Sequence, residues 1–422
     1  MTDSDNLELS RRRLLGTVGA AGAAGLVVGA AGGAGISAAL SGEDTAGAGA
    51  GGAPALTTVG ATSVMFHGKH QAGITTPLQS RGHLVAFDLA PGAGRKEAAA
   101  LLRRWSVTAK ALMSGKAPAE DTGVALDAGP SSLTVTFGFG RTFFDRTGLT
   151  SRRPAGLDPL PAFSSDALDP RRSEGDLWVQ IGADDALVAF HALRAVQKDA
   201  GDAARVRWQM NGFNRSAGAT AKPMTARNLM GQVDGTGNPK PTDPDFDRRI
   251  FVPAGGGGAP EWMAGGSYAV VRRIRMLLDD WEKLPLDRQE QVIGRRKSDG
   301  APLTGGTETT ELDLNKLGPD GKLVIPDNAH SRISAPEQNG GAAMLRRPFS
   351  FHDGIGSDGA PDAGLLFICW QADPLRGFVP VQRKLDRGDA LSTFIRHEAS
   401  GLFAVPGGPA EGEYVGQRLL EA

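Results

Sequence analysis

The chain has 422 residues, 40% of them hydrophobic, and its 46 Lys and Arg nearly balance 47 Asp and Glu. That length allows two domains or one large one with a core able to enclose a cofactor, and the balanced charge supplies no overall field to recruit nucleic acid or an anionic membrane. A single cysteine, Cys369, excludes an intramolecular disulfide, so the fold must be stabilised by its core.

Residues 1–40 read as an address. Arg11, Arg12 and Arg13 open an apolar run rich in Gly and Ala, which resembles a twin-arginine signal. The run is long enough to span a bilayer, so an uncleaved anchor is the competing reading. Its small residues make it weakly hydrophobic and offer cleavage sites, so cleavage is expected, leaving no membrane span in an exported protein. Residues 41–62 read as a flexible leader.

The first half, 63–230, orders its elements β-α-β-β-α-β. Alternation predicts strands over 83–90, 132–140, 176–183 and 205–213. Apolar spacing predicts helices over 95–113 and 184–197. In the second half, 231–422, the order begins again: a strand over 267–276, a helix over 278–294 broken by Pro285, strands over 344–351 and 364–372, and a helical region opening at 375–385. The strand-to-helix joints match, IGADD (181–185) against WQADP (370–374). The predicted class is α+β, two ferredoxin-like (split βαβ) units forming a dimeric α/β-barrel-like protein. Residues 214–266 and 295–343 fall outside the repeat, and long irregular segments of this kind often carry function.

The first of these segments contains GQVDGTGNP (231–239). By itself it is turn chemistry, because Gly supplies positive φ and Asp or Asn bonds its own backbone. The second contains His330 in PDNAHSRISAP, and Arg346 follows in MLRRPFSFHDG. Histidine is a usual haem-iron ligand, and an acid with an arginine is what peroxide chemistry requires.

Together with FHGKHQAGITTPLQ, RWQMNGFNR, GGSYAVVRRIRM, GLLFICWQADP and FIRHEASGLFAVP, these stretches resemble the dye-decolorizing (DyP-type) haem peroxidases, specifically the exported subgroup that includes deferrochelatase-like proteins. The family's G-x-x-D-G motif stands here as Gly231 to Gly235. The resemblance implies noncovalent haem b, one per chain, with His330 as proximal ligand, Asp234 as distal acid/base and Arg346 as distal arginine. Gly235, Leu365 and Phe367 would line the haem pocket, and Arg332 would meet a propionate. Pro348 is a departure, standing where these proteins often carry Gly. The implied partners are hydrogen peroxide, a one-electron donor such as a dye or phenol, and the twin-arginine translocase, which places the protein outside the cytoplasm. A haem-handling role in iron uptake is the alternative function.

Other ligands stay open from the residues alone: His352 just past a strand, His397 in a segment read as an amphipathic helix, and Cys369. No C-x-x-C-H occurs, which excludes c-type attachment. His67 and His70 have H-x-x-H spacing, read as loop packing rather than a second metal site. Bulky donors would need a surface relay among Trp105, Trp178, Trp208, Trp262, Trp281, Trp370, Tyr268 and Tyr414.

Overall fold

The computed structural model describes residues 58–118, 120–220, 224–255 and 258–421. The signal and leader residues up to 57 lie outside the described residues. The end of the leader differs from expectation, because residues 58–61 form a helical turn whose edge is bonded to the fold. Ser131 N–H donates to Gly60 O at 3.1 Å and Ser132 N–H to Thr62 O at 2.7 Å.

The first half contains β1 (Arg81–Leu89), α1 (Arg95–Met113), β2 (Thr134–Gly140), β3 (Leu177–Ala183), α2 (Ala186–Ala200) and β4 (Ala204–Phe213). Helix α1 buries Ala98, Leu101, Leu102, Trp105, Ala109 and Leu112, the stripe its spacing predicts. Asp185 caps α2 by accepting from the amides of Leu187 and Val188, both at 2.9 Å.

The second half contains β5 (Ser267–Met276), α3 (Leu278–Glu282), α4 (Leu286–Ile293), α5 (His330–Ile333), β6 (Leu345–Arg346), β7 (Phe349–Ile355), β8 (Pro361–Gln371), α6 (Phe378–Gly388) and β9 (Ile395–Val405). Pro285 separates α3 from α4 as expected. The single strand predicted over 344–351 is two, interrupted at Arg347 and Pro348, where proline has no N–H to give a ladder. His352 lies within β7 rather than past it. His397 is not on a helix: its segment is β9, which runs antiparallel to β5 along its whole length. The polar cluster Arg396, His397 and Glu398 imitates a helix face, but Glu398 points at a buried arginine on β5.

Each half forms a four-stranded antiparallel sheet in the same order, β4-β1-β3-β2 and β9-β5-β8-β7. This is the ferredoxin-like arrangement, made twice. The sheets join at two thin seams, β2 to β9 through Phe139 and Gly140, and β4 to β7 through Phe213 and Ser350, so eight strands close a ring. Alternate strand residues, among them Trp178, Met210, Phe349, Leu366, Ile368, Trp370 and Phe403, fill one continuous apolar cluster shared by both sheets. Helices α1 and α2 cover the other face of the first sheet. The equivalent face of the second sheet presents Ile274, Met276, Leu365 and Phe367 to a cavity.

Candidate active site

The loop after β4 returns on itself as a hairpin over 226–234. Asp234 N–H donates to Ala226 O at 2.8 Å, and Asn228 N–H donates to Gln232 O at 3.0 Å. The turn needs Gly231, at φ +79°, and Gly235 follows the aspartate at φ +130°, a conformation that L side chains avoid. The turn reading of the motif holds, and the same glycines set where the Asp234 carboxylate lies. The half-chain boundary placed at 230/231 falls inside this hairpin.

Asp234 Oδ2 accepts from Asn228 Nδ2 at 3.3 Å, and its Oδ1 lies 3.5 Å from Arg346 Nη1. Arg346 reaches this point from β6. Its neighbour Arg347 is buried and faces the other way, donating to Gly73 O, Pro77 O and Gln79 Oε1; burial pushes its pKa down to about 10.

His330 opens α5. Its Nδ1 lies 2.7 Å from Asp389 Oδ2, and Asp389, 1% exposed, also accepts from Leu391 N–H at 3.0 Å. A carboxylate beside Nδ1 places the ring proton there and leaves Nε2 as a free ligand atom. Burial lowers the His330 pKa, but the charge and hydrogen bond of Asp389 outweigh it, so the net shift is upward. No spacing in the sequence pointed to Asp389, which is 59 residues from His330.

Asp234, Arg346 and His330 line one cavity of about 500 Å³, and Gly235, Leu365 and Phe367 line it too. Arg332 does not line it. Its guanidinium donates to the carbonyls of Leu314, Ile325 and Pro326, holding the loop that precedes His330. The cavity's other cations include Arg272 and Arg295, and His397 also contributes to the wall.

Of the alternative iron ligands, His352 is exposed on β7 and Cys369 is fully buried, its thiol pushed up by burial; neither lines the cavity. His397 does line it, but it is 5% exposed, whereas the His330 side chain keeps 30% of its surface. His67 and His70 lie elsewhere, with Nδ1 atoms bonded to Pro409 O and Gly265 O.

The residues present fit a haem. Part of the wall is apolar, made by Met230, Ile274, Leu365 and Phe367, one histidine nitrogen is free, and two buried polar atoms on the lining side chains, Arg272 Nε and His397 Nδ1, have no protein partner. A second cleft of about 1010 Å³, lined by Trp262, Tyr414 and Phe251, contains none of the three predicted catalytic and ligand residues.

A nitrogen ligand for iron and an acid–base pair in the same partly apolar cavity are the requirements of haem peroxidase chemistry, and that is the class to which fold and site point. Comparison with known proteins fixes the family. Sequence models of the Dyp-type peroxidase N-terminal and C-terminal parts match residues 71–214 and 225–410. The chain belongs to the Dyp-type peroxidase family, and it is a peroxidase.

It is 43% identical to the dye-decolorizing peroxidase of Thermobifida fusca (strain YX), covering 99% of each chain. It is 36% identical to a deferrochelatase of Yersinia pestis over 85% of each. A DyP-type peroxidase of Streptomyces coelicolor has a solved structure that is 76% identical, with a TM-score of 0.85 over 88% of this chain and 100% of that one. Haem-bound members of the family share the fold.

Proposed function

We propose that the protein is an exported haem b peroxidase, one haem per chain, that reduces hydrogen peroxide and oxidises aromatic or other one-electron donors. The observation that carries this reading is the placement of Asp234 and Arg346 in the cavity that His330 lines. Bound haem would supply the iron that receives peroxide and the oxidising equivalents that donors then discharge.

His330 Nε2 would hold the iron, and Asp389 keeps that nitrogen unprotonated by retaining the ring proton on Nδ1. The Asp234 carboxylate would take a proton from one oxygen of hydrogen peroxide and return it to the other, the departing oxygen. Arg346 Nη1 stabilises the negative charge that grows on that oxygen as the O–O bond breaks. The apolar wall of Met230, Ile274, Leu365 and Phe367 limits the water that competes for these groups.

The test is the rate of the Soret change on mixing haem-loaded protein with hydrogen peroxide. Proton transfer contributes about 10²–10⁴-fold and a charge-stabilising donor about 10²–10³-fold, so Asp234→Ala and Arg346→Ala should each slow it at least tenfold. Wild-type rates in both, at full haem loading, would place the catalytic groups elsewhere. The deferrochelatase relatives support a second reading, iron release from haem. Metal-free porphyrin recovered from the protein after incubation with haem would favour it, and haem recovered intact would oppose it.

A further inference from the structure

Arg346 enters the cavity from a strand of two residues that has a ladder partner on one side only. Leu345 stands opposite Trp370 and Arg346 opposite Cys369, while the Arg346 N–H and C=O point away from β8. A side chain closes that open edge. Asn238 Oδ1 accepts from Arg346 N–H at 3.0 Å, and Asn238 Nδ2 donates to Arg346 O at 2.7 Å. One carboxamide thus stands in for a missing strand and satisfies both backbone groups, which would be costly to leave unpaired.

The same Oδ1 also accepts from Arg346 Nε–H at 3.2 Å. The base of the guanidinium is therefore held by the same group that holds the backbone. With Nε fixed, Nη1 stays 3.5 Å from Asp234 Oδ1, well beyond the roughly 2.7–2.9 Å of a charge-assisted bond. A free arginine would close that gap and form a bidentate pair, which would occupy the carboxylate and turn the guanidinium away from the cavity. Asn238 is held in turn by its own loop, since its N–H donates to Gly235 O at 3.1 Å. The residue that anchors the arginine therefore stands four positions after the catalytic acid, in the same rigid loop.

We propose that Asn238 is the positioning residue for Arg346: it holds the guanidinium toward the reacting oxygen and keeps it from collapsing onto Asp234. The inference rests on the reading of Arg346 as the group that stabilises charge beside the iron. It adds how the loop that carries the acid sets the geometry of a residue on a strand 108 positions further along the chain.

The experiment uses ferric, haem-loaded protein and fluoride, an anionic iron ligand whose affinity reports a hydrogen-bond donor beside it. Asn238→Ala should weaken fluoride binding and slow the reaction with hydrogen peroxide by about tenfold or more each, the scale of a hydrogen bond to a charged group. In an Arg346→Ala background, adding Asn238→Ala should change fluoride affinity no further, because the residue acts only through the arginine. Asn238→Ser, which keeps a short polar side chain but not the carboxamide pair, is read by the same criteria if Asn238→Ala does not retain haem. Wild-type fluoride affinity in the haem-loaded single variant, or an equal loss in both backgrounds, would overturn the positioning role. If Arg346→Ala itself binds fluoride and reacts with peroxide normally, it is the underlying assignment of Arg346 that fails.

Discussion

His330 and His397 line the same cavity under opposite electrostatics. Asp389 raises the first, while burial and then the positive charge of Arg272 push the second down to about 3, with Asp386 opposing. A group whose folded pKa is depressed from 6.5 binds its proton more readily in the unfolded chain, so the stability it leaves intact above pH 6.5 is lost as pH falls toward 3. At about 1.4 kcal/mol per pKa unit the loss is on the order of a few kcal/mol. The thermal midpoint should therefore drop between pH 6.5 and pH 4, and His397→Gln, which cannot titrate, should flatten that slope; an unchanged slope would show that other groups carry it. For His330, the decisive neighbour is Asp389. Removing a carboxylate that orients a metal-bound histidine typically costs about 10–100-fold in affinity, so Asp389→Ala should lose haem to excess apomyoglobin much faster than wild type, and His352→Ala should not.

Among the elements, β9 shows what holds the second half together. Arg273 on β5 is fully buried and bonds Asp353 of β7 at 2.9 Å, Asp362 of β8 at 2.7 Å and Glu398 of β9, with its guanidinium 3.9 Å over the Phe351 ring. One cation thereby joins four strands. Replacing it with Leu would leave three carboxylates facing one another, and breaking a buried pair in this way costs about 3–5 kcal/mol. Urea denaturation should show Arg273→Leu destabilised on that scale; a loss under about 1 kcal/mol would mean that the carboxylates relax into solvent at little cost. The matched joints seen in the sequence have a physical basis at this scale. Asp185 caps α2, and in the second half Asp373 Oδ1 accepts from Leu375 N–H at 2.8 Å, so both strands hand over to helical turns through an aspartate.

For the whole molecule, closing the ring fills the space between the sheets with side chains, and the cavity that Asp234, His330 and Arg346 line lies on an outer face of the second sheet. It also buries the aromatic residues: none of the eight Trp and Tyr side chains considered as surface relays exceeds 7% exposure. Trp262 and Tyr414 are the two that reach a surface cleft, the one of about 1010 Å³, and neither lines the cavity of Asp234 and His330. A donor too bulky for the cavity would have to meet the protein at such an edge. Trp262→Phe combined with Tyr414→Phe should lower kcat/KM for a bulky dye while leaving the rate with hydrogen peroxide unchanged. Equal turnover of the dye by the double variant would show that these two rings carry no current.

By itself the sequence determined the repeat, because amphipathic periods of two and 3.6 residues are local properties, and it singled out Asp234, His330 and Arg346, because they fall in stretches that resemble the family's. It also fixed the turn at 231–235, where glycine alone tolerates the backbone required. Tertiary structure decided the rest. Asp389 and Asn238 have no signal of their own, since each acts on a partner 59 or 108 residues away. Arg332 stands two residues after His330, where the resemblance implies a propionate contact, but three backbone carbonyls that only the folded loop brings together claim its guanidinium. His397 falls in a segment that the sequence predicts as a helix, and only the pairing of β9 with β5, which sets Glu398 against Arg273, makes it a strand. Hydrogen bonds between distant segments depend on how the chain closes in space, and a pattern of neighbours along the chain cannot encode that closure.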